Sequence, residues 1–205
     1  MCGRFAFFRW SQTFAATAGF PEGQMPSWNI APGANVLIQR REAQGLSLAR
    51  ARWGLTPAWL NDLSRTPAHA RAETLQEQPM FREAFAQRRC LVPANGFYEW
   101  RGTLRKRPFW LTNEDPIMYL AGIWEAYPAG DVTYLSVALV TQAAAHLRRP
   151  LILDEHEQAL WLNADSQASA LQSLLHKPHV SLRERALATF VNDPKLDAPE
   201  CLTPV

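Results

Sequence analysis

Four apolar segments in the middle of the chain limit its possible folds more than any other feature. They are "CLVPANGFYEW" (90–100), "PFWLT" (108–112), "IMYLAGIWEA" (117–126) and "VTYLSVALVT" (132–141). Each is rich in β-branched and aromatic residues and short enough for a single strand. "RGTLRKR" and "YPAGD" read as the turns that connect them. Two earlier segments join this set. "ANVLIQR" (34–40) and "LSLARARW" (46–53) also predict strands, the second by its alternation of apolar and polar residues.

Helical patterns lie on either side. "SQTFAATAGF" (11–20) predicts a short helix opened by a serine cap and closed near Gly19. "PMFREAFAQRR" (79–89) starts with proline and places Phe81 and Phe85 four residues apart, predicting a second helix. "LDEHEQALWL" (153–162) offers Asp154 as a cap with Glu157 three residues on, a capping-box pattern. "SQASALQSLLH" (166–176) predicts a fourth helix. Strands in the middle and helices at both ends specify an α+β fold with a largely antiparallel sheet. No repeat or long linker divides the 205 residues, so residues 1–205 are read as a single domain.

The three cysteines, Cys2, Cys90 and Cys201, form no C-x-x-C pair and fit neither a disulfide framework nor a zinc site. No apolar run is long enough to span a bilayer, and the N-terminus lacks a signal-peptide pattern; the expectation is a cytoplasmic protein. The net charge of +2 hides an asymmetry. Residues 1–110 hold 15 Lys and Arg against 7 Asp and Glu, whereas residues 111–205 hold 6 against 12. All but one of the basic residues in the first half are arginines, which pair bidentately with phosphate and stack on flat rings. The same excess would also arise from codon bias alone.

The chain begins "MCGRF". Removal of Met1 would leave Cys2 with an α-amine and a thiol on one residue; otherwise Cys2 is a small hydrophobe at a terminus. A 1,2-aminothiol condenses with an aldehyde to a Schiff base, and its thiol then closes onto the imine carbon to form a thiazolidine. A terminal cysteine also serves as an acyl nucleophile with its own amine as base. Either chemistry needs proton-transfer partners. Glu99, in "GFYEW", lies among aromatics that would raise its pKa if it faces inward; by simple alternation it would face solvent. His146, just ahead of Arg148 and Arg149, and His69, in "AHARAET", are the other candidates.

Six motifs in order, "CGRF" (2–5), "NIAP" (29–32), "WGLTPAW" (53–59), "ARAET" (70–74), "RRCLVPANGFYEW" (88–100) and "RRPLIL" (148–153), resemble the SRAP family of abasic-site-processing proteins. The resemblance implies an α+β fold around a curved, barrel-like, largely antiparallel sheet flanked by helices. It implies covalent capture of abasic sites in single-stranded DNA, including those at single-strand/double-strand junctions, by a monomer that associates with the nucleoid. Carried over by position, Cys2 is the crosslinking residue, Glu99 the catalytic carboxylate and His146 the proton shuttle, while His69 stands where the family commonly has asparagine. Arg4, Arg71, Arg148 and Arg149 become phosphate ligands, and Asn29, Pro32 and Trp59 line the DNA groove. Self-cleavage after Met1 is a further implied activity, and neither a metal nor a cofactor is implied. Two alternatives start from the same residues: an N-terminal-nucleophile amidotransferase, and a non-covalent single-stranded DNA binder.

Overall fold

The computed structural model describes residues 3–145 and 147–205. The chain runs through β1 (Phe5–Phe7), a single helical turn α1 (Gln12–Ala15), β2 (Ser27–Ile30), β3 (Asn35–Glu42), β4 (Gly45–Trp53) and β5 (His69–Arg71). Helix α2 (Arg82–Gln87) precedes β6 (Arg89–Ala94), β7 (Gly96–Arg101), β8 (Arg107–Thr112), β9 (Met118–Ala129) and β10 (Val132–Ala144). There follow β11 (Leu147–Pro150), β12 (Ile152–Leu153), α3 (Glu155–Leu162), α4 (Ala168–Leu175) and β13 (Arg183–Ala186), then two 3-10 turns, Thr189–Asn192 and Pro199–Leu202.

Two sheets form. In the larger, β10 pairs with β4, β4 with β3, β3 with β6, β6 with β9, and β9 with β10 again, closing a ring of five strands. Only the β4–β10 contact in this ring is parallel. The second sheet is open and antiparallel, in the order β13-β8-β7-β1-β2. The expected barrel-like α+β architecture is therefore present. Among the described residues, no helix is long and apolar enough to cross a membrane.

Burial follows from this layering. On β10, Val137 and Leu139 join a core shared with Phe5, Phe97 and Leu111 of the open sheet. Ala138 and Val140, on the other face, pack with Leu75, Phe85, Trp161 and Leu171 of the helical side. Because both faces are covered, the strand reads as a nearly continuous apolar run rather than an alternation. A third cluster, with Tyr98, Trp110, Val191 and Cys201, covers the outer face of the open sheet.

Several elements differ from the sequence-based expectation. The segment 90–100 is two strands, one in each sheet, with Asn95 at the crossing. Asn95 is buried, and its side chain meets four backbone groups. Its Oδ1 accepts from Phe8 N (2.7 Å) and Arg9 N (3.0 Å), while its Nδ2 donates to Arg9 O (3.0 Å) and Pro116 O (2.8 Å). A buried residue with every polar atom paired can hold such a corner. The next residue, Gly96, needs its missing side chain: a Cβ there would lie 2.3 Å from the Trp110 ring. Gly96→Ala should therefore cost about 1–3 kcal/mol of stability by overpacking, read as a lower denaturant midpoint.

The helix expected over 79–89 shrinks to α2, and the chain is already in a strand at Arg89. The guanidinium of Arg89 explains the early stop. It donates to Phe85 O (2.7 Å) and Ala86 O (2.8 Å) at the end of α2, and to Trp161 O (2.6 Å) and Asn163 O (2.7 Å) at the end of α3. One buried cation thus satisfies the terminal carbonyls of two helices. The first helix is likewise shorter than expected, ending at Ala15 rather than near Gly19, although Ser11 does cap it through a 3.1 Å bond to Phe14 N. The capping box at Asp154 and Glu157 forms as expected.

Candidate active site

Glu99 lies on β7 at the centre of the open sheet, paired with Phe109 of β8. With period-two alternation it shares a face with Phe97, which packs toward the barrel. The carboxylate is 2% exposed, so Glu99 does not face solvent as simple alternation predicts. What makes this tolerable is pairing. Arg149, on β11 of the other sheet, donates from Nε to Oε1 at 2.6 Å and from Nη2 to Oε2 at 3.3 Å. Arg101, two residues along β7 on the same face, donates to Oε2 from Nη2 at 2.6 Å and from Nε at 3.0 Å. Glu99 thus bridges the two sheets through one arginine from each.

A fourth charge completes the cluster. Glu184 of β13 accepts from Arg101 Nη1 (2.6 Å) and Nη2 (2.7 Å), and from Arg149 Nη2 (3.2 Å). The Arg101 guanidinium also lies 4.7 Å above the Phe109 ring.

Burial by itself would push the Glu99 carboxyl up, but the hydrogen bonds and charges of Arg149 and Arg101 outweigh it and hold the group below the usual carboxylate range. This corrects the raised pKa expected from the aromatic sequence context. Glu99 is ionised at neutral pH. A carboxyl depressed in the folded state stabilises the protein fully above its unfolded value, near 4.5, and that stability is lost as pH falls below it. Wild type should consequently lose more stability than Glu99→Gln between about pH 4.5 and pH 2, measured by thermal melting. Equal losses would show that the carboxylate is not held by its arginines.

The structure treats the remaining candidates differently. Arg4 donates to Asn29 Oδ1 at 2.6 Å and to Val191 O at 3.2 Å, and its guanidinium lies 6.0 Å from the Trp100 ring. Its carbonyl accepts from Tyr98 N at 3.0 Å, one residue from Glu99. Asn29 is buried, and its amide nitrogen donates to Asp193 O (3.1 Å) and Leu196 O (2.7 Å). These contacts make Asn29 the support of Arg4.

A second group gathers along β10. Trp53 pairs with Val137 and His69 with Leu139, so the 54–68 loop leaves and rejoins the same strand edge. His69 meets Trp53 edge-on, with ring centroids 5.5 Å apart. Arg71 is exposed beside Thr141, and Arg148 donates to Thr141 O and to Glu73 Oε2, both at 2.6 Å. Pro32 and Trp59 are both exposed, and the turn behind Pro32 is tied to Trp53 by Gly33 N donating to Trp53 O at 2.8 Å. Cys2 and His146 lie outside the described residues. At the end of β10, ahead of β11, the strand that carries Arg149, Ala145 takes a left-handed φ of 49°.

Sequence reasoning missed Arg101 and Glu184. Arg101 could have been found from its two-residue spacing to Glu99 on one strand face. Glu184 is 85 positions from Glu99 in sequence, and no local signal marks it.

These motifs and this arrangement coincide with one described family, SOS response associated peptidase (SRAP), which matches residues 1–194. The chain belongs to the SRAP family. Among its relatives is YoqW of Bacillus subtilis (strain 168), named an abasic site processing protein. It is 33% identical over 221 residues, covering 98% of this chain and 99% of YoqW. HMCES of Pongo abelii carries the same description at 27% identity, covering 90% of this chain and 67% of HMCES. The SRAP fold is matched by the crystal structure of a Bacteroides thetaiotaomicron protein with a TM-score of 0.84, at 22% identity and with all of both chains covered.

Proposed function

We propose that the protein captures abasic sites in single-stranded DNA covalently through Cys2 once Met1 is removed. One observation carries the reading. The described chain enters the open sheet at Arg4, whose carbonyl is bonded to Tyr98 N beside the buried, ionised Glu99, and a single residue separates Cys2 from Arg4. The names of YoqW and HMCES, both abasic site processing proteins, support the same lesion as substrate.

In this mechanism the ring-opened sugar presents an aldehyde to the α-amine of Cys2. The amine adds to the carbonyl carbon, and water leaves to give a protonated Schiff base. The thiol then adds to the imine carbon, its proton is lost to a base, and a thiazolidine results. An ionised carboxylate suits the cationic intermediate, because a fixed negative charge stabilises positive charge as it develops. Glu99 therefore acts as the counter-charge to the cationic intermediate, and Arg149 and Arg101 hold it ionised. His146 relays protons at ring opening. Arg4 and Arg71 hold phosphates, while Trp59 and Pro32 receive unstacked bases. His69 contacts the sugar where other members use an amide, and Arg148 holds a phosphate beside Arg71. Single-stranded substrate and strand junctions are preferred because the reacting sugar must be reached outside a stacked duplex. The protein works as a monomer in the cytoplasm, at the nucleoid, and uses the same Cys2 and Glu99 to remove Met1.

The test mixes protein with single-stranded DNA carrying one abasic site and resolves the products on a denaturing gel. A heat-stable shifted band is expected with wild type and not with Cys2→Ala or Cys2→Ser, the latter keeping the amine and losing the thiol. An equal band with Cys2→Ala would refute capture by Cys2. Ammonia release from glutamine would instead indicate the amidotransferase chemistry.

A further inference from the structure

A groove of about 870 Å³ lies where the ring of strands meets the 54–68 loop, and the mechanism above makes no use of it. Arg50 and Arg52 of β4 form one side, and Tyr127 and Tyr134, paired across the β9–β10 hairpin, form another. Leu63 and Thr66 of the 54–68 loop close it. Tyr134 is 58% exposed and Leu63 54% exposed. No aspartate or glutamate lines the groove. Among the described residues Arg50 has no ion-pair partner, and Arg52 donates only to Thr66 Oγ1, at 3.1 Å.

Its position relates it to the capture site. The loop that supplies Leu63 and Thr66 also presents Trp59, and Gly33 at the groove's edge follows Pro32. Strand β10 runs from one site to the other. Ser136 lines the groove, and Gln142 pairs with Arg149, the partner of Glu99. Those six steps of extended strand cover about 20 Å, a span that several nucleotides of an open strand bridge.

Arginines without ion pairs beside an exposed tyrosine, Tyr134, and a half-buried one, Tyr127, are the chemistry that holds single-stranded nucleic acid: cations track the backbone, and the rings offer bases a stacking surface. Among the described residues the only charged side chains along the groove are the two arginines, the charge that suits a phosphate backbone. We infer that this groove binds the single-stranded DNA that runs on from the lesion, with bases on Tyr134 and Tyr127 and phosphates on Arg50 and Arg52. The inference rests on the proposed capture of abasic DNA.

The experiment uses oligonucleotides carrying a tetrahydrofuran abasic analogue, which has no aldehyde, so that binding stays reversible. A short core oligonucleotide is compared with versions lengthened on the 5′ side or the 3′ side. Wild type should gain at least about 5-fold in affinity from one of the two arms. Tyr134→Ala and the double variant Arg50→Ala/Arg52→Ala should lose that gain, with melting temperatures near wild type and unchanged binding of the core. Variants that still gain from the arm would overturn the inference and leave the groove to a protein partner. A wild type that gains from neither arm would overturn it as well. Crosslinking of the short oligonucleotide with a true, aldehyde-bearing abasic site in place of the analogue, by the same proteins, keeps this separate from the capture reaction: its absence in wild type would refute capture itself.

Discussion

Glu99→Gln is expected to slow covalent capture by about 100-fold or more, the scale on which a preorganised electrostatic group in an active site acts. Glutamine keeps the shape of the side chain, but it carries no charge and has a single acceptor oxygen, so its amide nitrogen faces one of the two arginines. The developing iminium would then face two arginines with no counter-charge between them. Stability should fall too, by about 2–3 kcal/mol. Removing one partner of a buried pair typically costs 3–5 kcal/mol, and here the arginines are 29% and 22% exposed and keep Glu184. Glu184→Gln provides the contrast. It removes the outer carboxylate but leaves Glu99 ionised between both arginines, so the capture rate should change by no more than a few-fold. The measurement is the initial rate of crosslink formation on single-stranded abasic DNA. A Glu99→Gln rate equal to wild type would reduce the carboxylate to a structural tie between the sheets.

The second large effect concerns stability. Arg89→Ala should destabilise the protein by about 3–4 kcal/mol. The substitution strips the donors from four carbonyls: Phe85 O and Trp161 O, at buried residues where water has little access, and Ala86 O and Asn163 O, at exposed helix ends. For a chain of this size the loss corresponds to a fall in melting temperature of roughly 6–16 °C. Arg89→Lys should recover less than half of it, because a point charge on a flexible stem cannot span two helix ends as a planar fork does. If Arg89→Ala melts within a degree or two of wild type, the carbonyls find other donors and the shared cap is not what joins α2 to α3. Because α2 ends where β6 begins, the same variant should expose the α2–β6 junction to proteolysis.

The strongest elements were legible along the chain because their signals are local. Alternation and β-branched residues marked β3, β4, β8, β9 and β10. The Asp154/Glu157 pair marked the start of α3. The ordered motifs singled out Glu99 as a candidate, and the "MCGRF" start raised Cys2 as the residue proposed to trap an aldehyde. Local signals also misled in particular places. "CLVPANGFYEW" reads as one strand because nothing in it shows that Asn95 bonds Phe8, Arg9 and Pro116, the contacts that turn the chain from one sheet into the other. The short strands β1, β2 and β13 passed unnoticed because three or four residues carry too little periodicity; they exist by pairing with distant partners.

The sequence by itself determined the class of fold, the order of its main strands and the residue types available for chemistry. Only the tertiary structure decided the protonation state of Glu99. A carboxylate's pKa depends on which charges lie within a few ångströms, and two of the three charges around it, on Arg149 and Glu184, come from strands 50 and 85 residues away.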